Sequence, residues 1–287
     1  GEVYPNPEIS KSFSATIGIQ ADEDGVLWIL DMGSENKSPR LFGWDTDDNE
    51  IHRIFYMPED VLTENSFLQD FAIDEDEGVA FIADMGRADI TGDSQPAIIV
   101  VNLQTGQSRR VLPGYPSLQP ASDTVFKAGG EPVMFSDEQG DTHPVNLGLN
   151  PIAIDPDDDW VYFSTMNPGN LFRIETEILG DFTATNRELS RAIEIYGTKP
   201  SSDGIAAGED GRVYVTNVNK NGIDIVTENE TFDWVRDENL IWPDGLYIAP
   251  DGDIIATVNQ LHLAPVFNAG QSAARKPYLI VRITGDF

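Results

Sequence analysis

The feature that most constrains this chain is an internal repeat, a strand–turn–strand unit written five times. Asp203-Gly-Ile-Ala-Ala-Gly-Glu-Asp-Gly211 continues as Arg-Val-Tyr-Val-Thr-Asn217. The same plan lies over Asp244 to Val258, Asp70 to Asp84 and Ile17 to Asp31. In all four, eight positions lead from the first residue to the turn glycine and six more to the end of the second strand. A fifth copy, Asn150 to Thr165, has one extra residue at its turn. Asp-Gly supplies the positive φ angles of a tight hairpin at low steric cost. The β-branched and aromatic runs on either side suit strands buried on both faces.

Each copy is followed by further strand-like segments, among them Pro96 to Asn102, Gln107 to Leu112, Asn170 to Ile174 and Pro277 to Ile283. Four strands per unit at this spacing predict an all-β chain folded as a β-propeller, one domain over residues 1–287. The copies begin at 17, 70, 150, 203 and 244, so the second interval is long. Its Gly- and Pro-bearing stretch, 113–149, reads as an insertion loop or hairpin excursion.

Composition narrows the partners. The chain holds 49 acidic against 18 basic residues, a formal net charge of −31. Such a surface repels nucleic acid and anionic lipid, because phosphate binding needs clustered Lys and Arg. The clusters Asp45-Asp47-Asp48 and Asp155-Asp157-Asp158-Asp159 read as solvated turns. No apolar run is long enough for a spanning helix. Cysteine is absent, which removes disulfides, thiolate catalysis and Cys-based zinc sites together. The N-terminal residues lack the pattern of a signal peptide. The expected compartment is nonetheless periplasmic or secreted, as for a mature exported chain.

In a propeller the first strand of each blade lines the central channel. The repeat therefore places Ile17, Asp70, Asn150, Asp203 and Asp244 in a ring at one mouth. The ends of the second strands, Asp31, Asp84, Asn217 and Asn219, return to the same face as candidate ligand-binding groups. Carboxylates held together call for a cation or a shared proton. Asp70, Asn150 and Asp203 are candidate calcium ligands, since a hard cation takes oxygen donors. The other use of Asp or Asn at a strand start is to hydrogen-bond neighbouring backbone. His262, after the second strand of the last repeat, is a candidate general base, with a structural role as the alternative. His52 falls in an outer strand and His143 in the insertion. No Gly-x-Ser-x-Gly elbow or phosphate-binding glycine loop is present.

Gly25-Val-Leu-Trp-Ile-Leu-Asp-Met-Gly33 resembles the "G-R-L-W-V-L-D-x-G" signature of the major royal jelly protein/Yellow family. Phe71 to Gly86, Asn150 to Met166, and Trp242-Pro-Asp-Gly with Asn259-Gln-Leu-His262 are similar to further segments of that family, in family order. The resemblance spans about residues 13 to 283 and implies a six-bladed propeller, against five repeats counted. The sixth blade is sought upstream of Tyr4-Pro5 or in 113–149. Missing cysteine departs from insect members and suits a bacterial one. A more distant similarity to the regucalcin/gluconolactonase propellers implies calcium ligands, which by repeat position fall on Asp70, Asn150 and Asp203. That group's glutamate has no counterpart, because the first repeat offers Ile17.

Three functions follow as expectations. The first is a gluconolactonase-type hydrolase of a small molecule at the channel mouth, calcium-assisted, with Asp203, Asp244 and His262 catalytic. The second is a Yellow-like, non-enzymatic binder of small amines or aromatic ligands in the channel. The third is a scaffold for a protein partner that the sequence does not specify.

Overall fold

The computed structural model describes residues 3–86, 94–136 and 140–284. Five antiparallel sheets follow one another along the chain. Blade 1 is β1 (Thr16–Ala21), β2 (Val26–Asp31), β3 (Arg40–Asp45) and β4 (Glu50–Tyr56). Blade 2 is β5 (Leu68–Asp74), β6 (Val79–Asp84), β7 (Ala97–Asn102) and β8 (Ser108–Val111). Two small hairpins come next, β9 (Lys127–Ala128) with β10 (Glu131–Pro132), and β11 (Met134–Ser136) with β12 (Thr142–Pro144). Blade 3 is β13 (Leu149–Ile154), β14 (Trp160–Thr165), β15 (Gly169–Glu175) and β16 (Glu194–Lys199). Blade 4 is β17 (Ile205–Ala207), β18 (Val213–Asn217), β19 (Gly222–Val226) and β20 (Thr231–Arg236). Blade 5 has three strands, β21 (Pro243–Ile248), β22 (Ile254–Val258) and β23 (Leu279–Ile283).

The five repeats are thus the inner two strands of five blades, and the strand order within each blade is sequential. The described residues of the 113–149 stretch make the two hairpins and add no blade. Blades pack face to face through apolar side chains that alternate along each strand. Trp28, Leu41, Ile82 and Ile99 join blades 1 and 2. Phe81, Ile98, Phe163 and Ile174 join blades 2 and 3. Tyr162, Tyr196, Val213 and Val215 join blades 3 and 4, and Tyr214, Ile223, Ile254 and Ala256 join blades 4 and 5. Each such side chain, fully buried, contributes about 1.5–3 kcal/mol of transfer free energy. The two end blades differ. Ile19 of β1 is 68% exposed and Ile280 of β23 is 76% exposed, with Ile17 and Tyr247 also open. The apolar faces of the first and last blades are therefore not buried against each other.

The inner strands share a local irregularity that positions the candidate site. The pairing register slips between Thr16 and Gly18, Leu68 and Asp70, Leu149 and Ile152, and Pro243 and Leu246. A bulge at a strand start re-aims the side chains beside it. Blades 4 and 5 replace the missing ladder acceptors with hydroxyls. Thr216 Oγ1 accepts from the Asp203 and Gly204 amides, and Thr257 Oγ1 accepts from Gly245. Among the described residues no helix is long and apolar enough to cross a membrane.

Candidate functional site

At the end of the channel where the inner strands begin, three carboxylates converge. Asp203 is 6% exposed and Asn150 5%. The Asn150 amide donates to Asp203 Oδ1 at 2.9 Å and Trp242 Nε1 donates to Oδ2 at 2.6 Å. Asn259 donates to Asp244 Oδ2 at 2.8 Å. Asp70 Oδ1 accepts the Phe71 amide at 2.9 Å. Blades 4 and 5 approach so closely here that a Cβ on Gly204 would lie 2.1 Å from the Asp244 carbonyl oxygen. Only glycine permits that contact.

Burial governs the charge of this cluster, since low-dielectric surroundings disfavour the ionised form. It pushes Asp70 up to about 7, with the neighbouring Asp203 charge adding to the rise and the Phe71 and Ile152 amides opposing it. Asp203 is pushed up to about 6 by burial, against the stabilising N–H groups of Trp242 and Asn150 and the charge of Lys199. Burial, then the charges of Asp203 and Asp70, raise Asp244 well above the usual carboxylate range. The charges of Asp70 and Asp203 each act on Asp244, so the three carboxyls favour holding protons over standing fully ionised together.

Trp242 ties the floor together. It is 1% exposed, stacks with His262 and Phe267, and meets Phe126 at a tilt of 60°. Its φ of +58° is a left-handed conformation that a bulky residue adopts only when its contacts over-determine it. His262 lies parallel to the indole at 5.6 Å, on a ring that itself bonds Asp203. Its Nδ1 is buried without a hydrogen-bond partner, and burial lowers its pKa. Replacing Trp242 by Phe keeps the stack and removes the donor to Asp203. Urea unfolding at pH 8 is expected to show a loss of about 1.5–3 kcal/mol, the value of a hydrogen bond to a charged group. The loss should shrink at pH 4, where Asp203 is protonated.

Other residues singled out from sequence are placed differently. Asp31 and Asp84 turn into the blade edges. Asp31 accepts the Ser14, Ala15 and Gly33 amides and pairs with Arg40. Asp84 accepts Ser66 Oγ, the Phe67 and Gly86 amides and Arg110. Asn217 donates to Asp224 and accepts the Lys220 amide. Asn219 accepts the Gly130 amide and so holds the first insertion hairpin. His52 is exposed in the outer strand β4, edge-on to Trp28, and His143 is exposed on β12, stacked on Phe135.

The insertion sits across this end of the channel. Phe126, Val133, Phe135 and Leu147 pack with Met85, Met166 and Val218, which directly follow the second strands of blades 2, 3 and 4, and with Trp242, which precedes the first strand of blade 5. The Lys127 amide bonds Ser201 Oγ and the Leu147 amide bonds Asn167 Oδ1. The carboxylates are therefore the floor of a covered channel rather than groups at an open mouth. From Asp70 a cavity of about 1260 Å³ runs past Phe71, Ile152, Ile205 and Leu246 to the hairpin turns at the far end. Glu23, Glu75, Asp76, Asp157, Glu209 and Asp251 stand there, with Arg212 as the basic residue of the lining. An acidic rim over apolar walls concentrates cations and steers them inward.

Calcium takes six to eight oxygen ligands. Here both Asp203 oxygens already accept N–H bonds, and Asn150 faces Asp203 with its amide nitrogen. Among the described residues no three His, Cys, Asp or Glu side chains are spaced to hold a metal. The donor set does not fit calcium as it stands. Sequence reasoning passed over Trp242, Asn259 and Lys199 as parts of the floor. Trp242 and Asn259 lay inside a recognised motif, whereas a buried lysine leaves no signal in a sequence.

Solved structures share the fold at low identity. A gluconolactonase from Xanthomonas campestris matches at 10% identity and TM-score 0.52, over 85% of this chain and 69% of its own. U3-55K matches at 6% and 0.51, over 85% of this chain and 58% of its own, so this chain spans less than two thirds of it. A calcium-binding protein, regucalcin, from Agrobacterium tumefaciens matches at 13% identity over 91% and 88% of the two chains, at a TM-score of only 0.38. A search of curated proteins gives no match. The family model described as major royal jelly protein matches residues 14–264. With the repeat and the motifs around Trp28, Asp84 and Trp242 that it covers, this chain belongs to the major royal jelly protein family.

Proposed function

We propose that this protein binds a small organic cation in its central channel, its ammonium group against Asp70, Asp203 and Asp244 and its apolar body along the inner-strand walls. One observation carries the reading. Three carboxylates meet where the inner strands begin, Asp203 buried and Asp70 and Asp244 half-buried, with Asp70 on the cavity wall. Among the described residues Lys199 is the one cation whose charge acts on them. A ligand ammonium would supply the missing positive charge and donate hydrogen bonds to the carboxylate oxygens. Aromatic walls such as Phe71 and Tyr214 add face contacts to a cation or ring.

Calorimetric titration with 2-phenylethylammonium, against neutral 3-phenylpropan-1-ol, tests this directly. The cation is expected to bind and the alcohol not. Affinity should rise from pH 5 to pH 8, because Asp70 ionises in that window. Asp70→Asn should weaken binding at pH 8 by about 10- to 100-fold, that is roughly 1.4–2.7 kcal/mol. Equal binding of cation and alcohol would end the proposal.

A hydrolase reading has one observation of its own. A carboxyl at about 7 suits acid–base work at neutral pH. Asp70 would then hold or release a proton beside a bound ester, with Asp203 fixed by Trp242 and Asn150. Lactone turnover that vanishes in Asp70→Asn, measured with and without added calcium, would support it over simple binding.

A further inference from the structure

Lys199 ends β16 and is 5% exposed. Its ammonium lies 2.9 Å from the Asn167 carbonyl oxygen, 2.9 Å from that of Pro200 and 3.4 Å from that of Met166. Three carbonyls thus face three N–H donors. A neutral amine has only two, so only the charged form satisfies the cage. Burial pulls the Lys199 ammonium well below the usual lysine range, and the charge of Asp203 and the three carbonyls work against that loss of the proton. Lys220, by contrast, lies exposed on the surface and pairs with the exposed Asp233.

We propose that Lys199 is a tethered cation: its ammonium fills a main-chain carbonyl cage behind Asp203, and the cage becomes a binding site for a small alkylammonium ion once the side chain is cut back. Two of the cage carbonyls, Met166 and Asn167, belong to the β14–β15 connection of blade 3, and the third, Pro200, follows Lys199 directly. The inference is independent of what the channel binds, because no cage carbonyl lines the channel. Lys199 is a positioning residue on this account. It holds a positive charge behind Asp203, which in turn anchors Asn150 and Trp242.

The test uses Lys199→Ala and Lys199→Met in the full chain, with thermal midpoint as readout. Both variants should unfold at lower temperature than the parent. n-Propylammonium should restore much of the loss in Lys199→Ala, with a saturable dependence on its concentration. n-Propanol and tetramethylammonium at matched ionic strength should not, because one lacks the charge and the other the N–H donors. Lys199→Met, whose side chain still fills the space, should not respond. Equal effects of all three additives on Lys199→Ala would overturn the proposal. In the parent protein, the ¹⁵Nζ resonance of Lys199 should be that of an ammonium at pH 7. A neutral-amine shift would overturn it too, even if neither variant folds.

Discussion

Asp70→Asn is expected to make this protein more stable at pH 8 and leave it nearly unchanged at pH 4. Folding lifts the Asp70 carboxyl from 3.8 to about 7, mainly through burial. A group whose pKa the fold raises holds its proton more tightly folded than unfolded. Its contribution is complete below pH 3.8 and is lost as pH climbs through 7. At 1.36 kcal/mol for each pH unit, the loss is on the order of 4 kcal/mol by pH 8. Asparagine keeps the shape and still accepts the Phe71 amide, but it has no charge to desolvate. Urea unfolding at pH 4, 6 and 8 should show the variant pulling ahead as pH rises. Asp203 adds to the same slope in the parent up to about pH 6. A variant that gains nothing at pH 8 would mean that Asp70 is solvated in the folded state. The parent should regain the lost stability when a cation binds, so strain and binding are two sides of one arrangement.

Asp84→Ala should be the most damaging single change among the strand-end carboxylates, costing about 3–5 kcal/mol. The side chain is fully buried and accepts from Ser66, Phe67 and Gly86 as well as Arg110. Its removal leaves a guanidinium whose partners among the described residues are the Val61 and Gln95 carbonyls, and frees the Phe67 and Gly86 amides. Adding Arg110→Met should recover part of the cost, since the unpaired charge leaves with it. Thermal or urea unfolding of the two single variants and the double variant measures this. A loss under about 1 kcal/mol would show that the blade edge does not depend on the pair.

These two aspartates show what the sequence could and could not say. Both stand at a strand end on one face of the propeller, and their letters are the same. The bulge beside Asp70 turns it into the channel, whereas Asp84 ends an unbroken ladder with β7 and caps its own blade. That difference depends on register, which the repeat does not encode. The blades themselves were legible, because Asp-Gly turns and buried runs fix hairpins locally. Asp31 followed by Met32 and Gly33, and Asp84 followed by Met85 and Gly86, even repeat one motif. In both, the carboxylate accepts the glycine amide two residues on. The insertion was legible as an interruption but not as a cover, since Phe126, Phe135 and Leu147 bury only against Trp242 and its neighbours in distant blades. Lys199 was illegible, because its three partners are main-chain carbonyls.

The most direct test of the central claim is where a cation sits. Crystals grown with 2-(4-bromophenyl)ethylammonium give an anomalous bromine signal that locates the ligand independently of any interpretation of the channel. The account predicts a peak between the inner strands of the blades, with the ammonium within hydrogen-bond distance of Asp70 or Asp244. Bromine bound outside the channel, or a channel empty at saturating ligand, would contradict it.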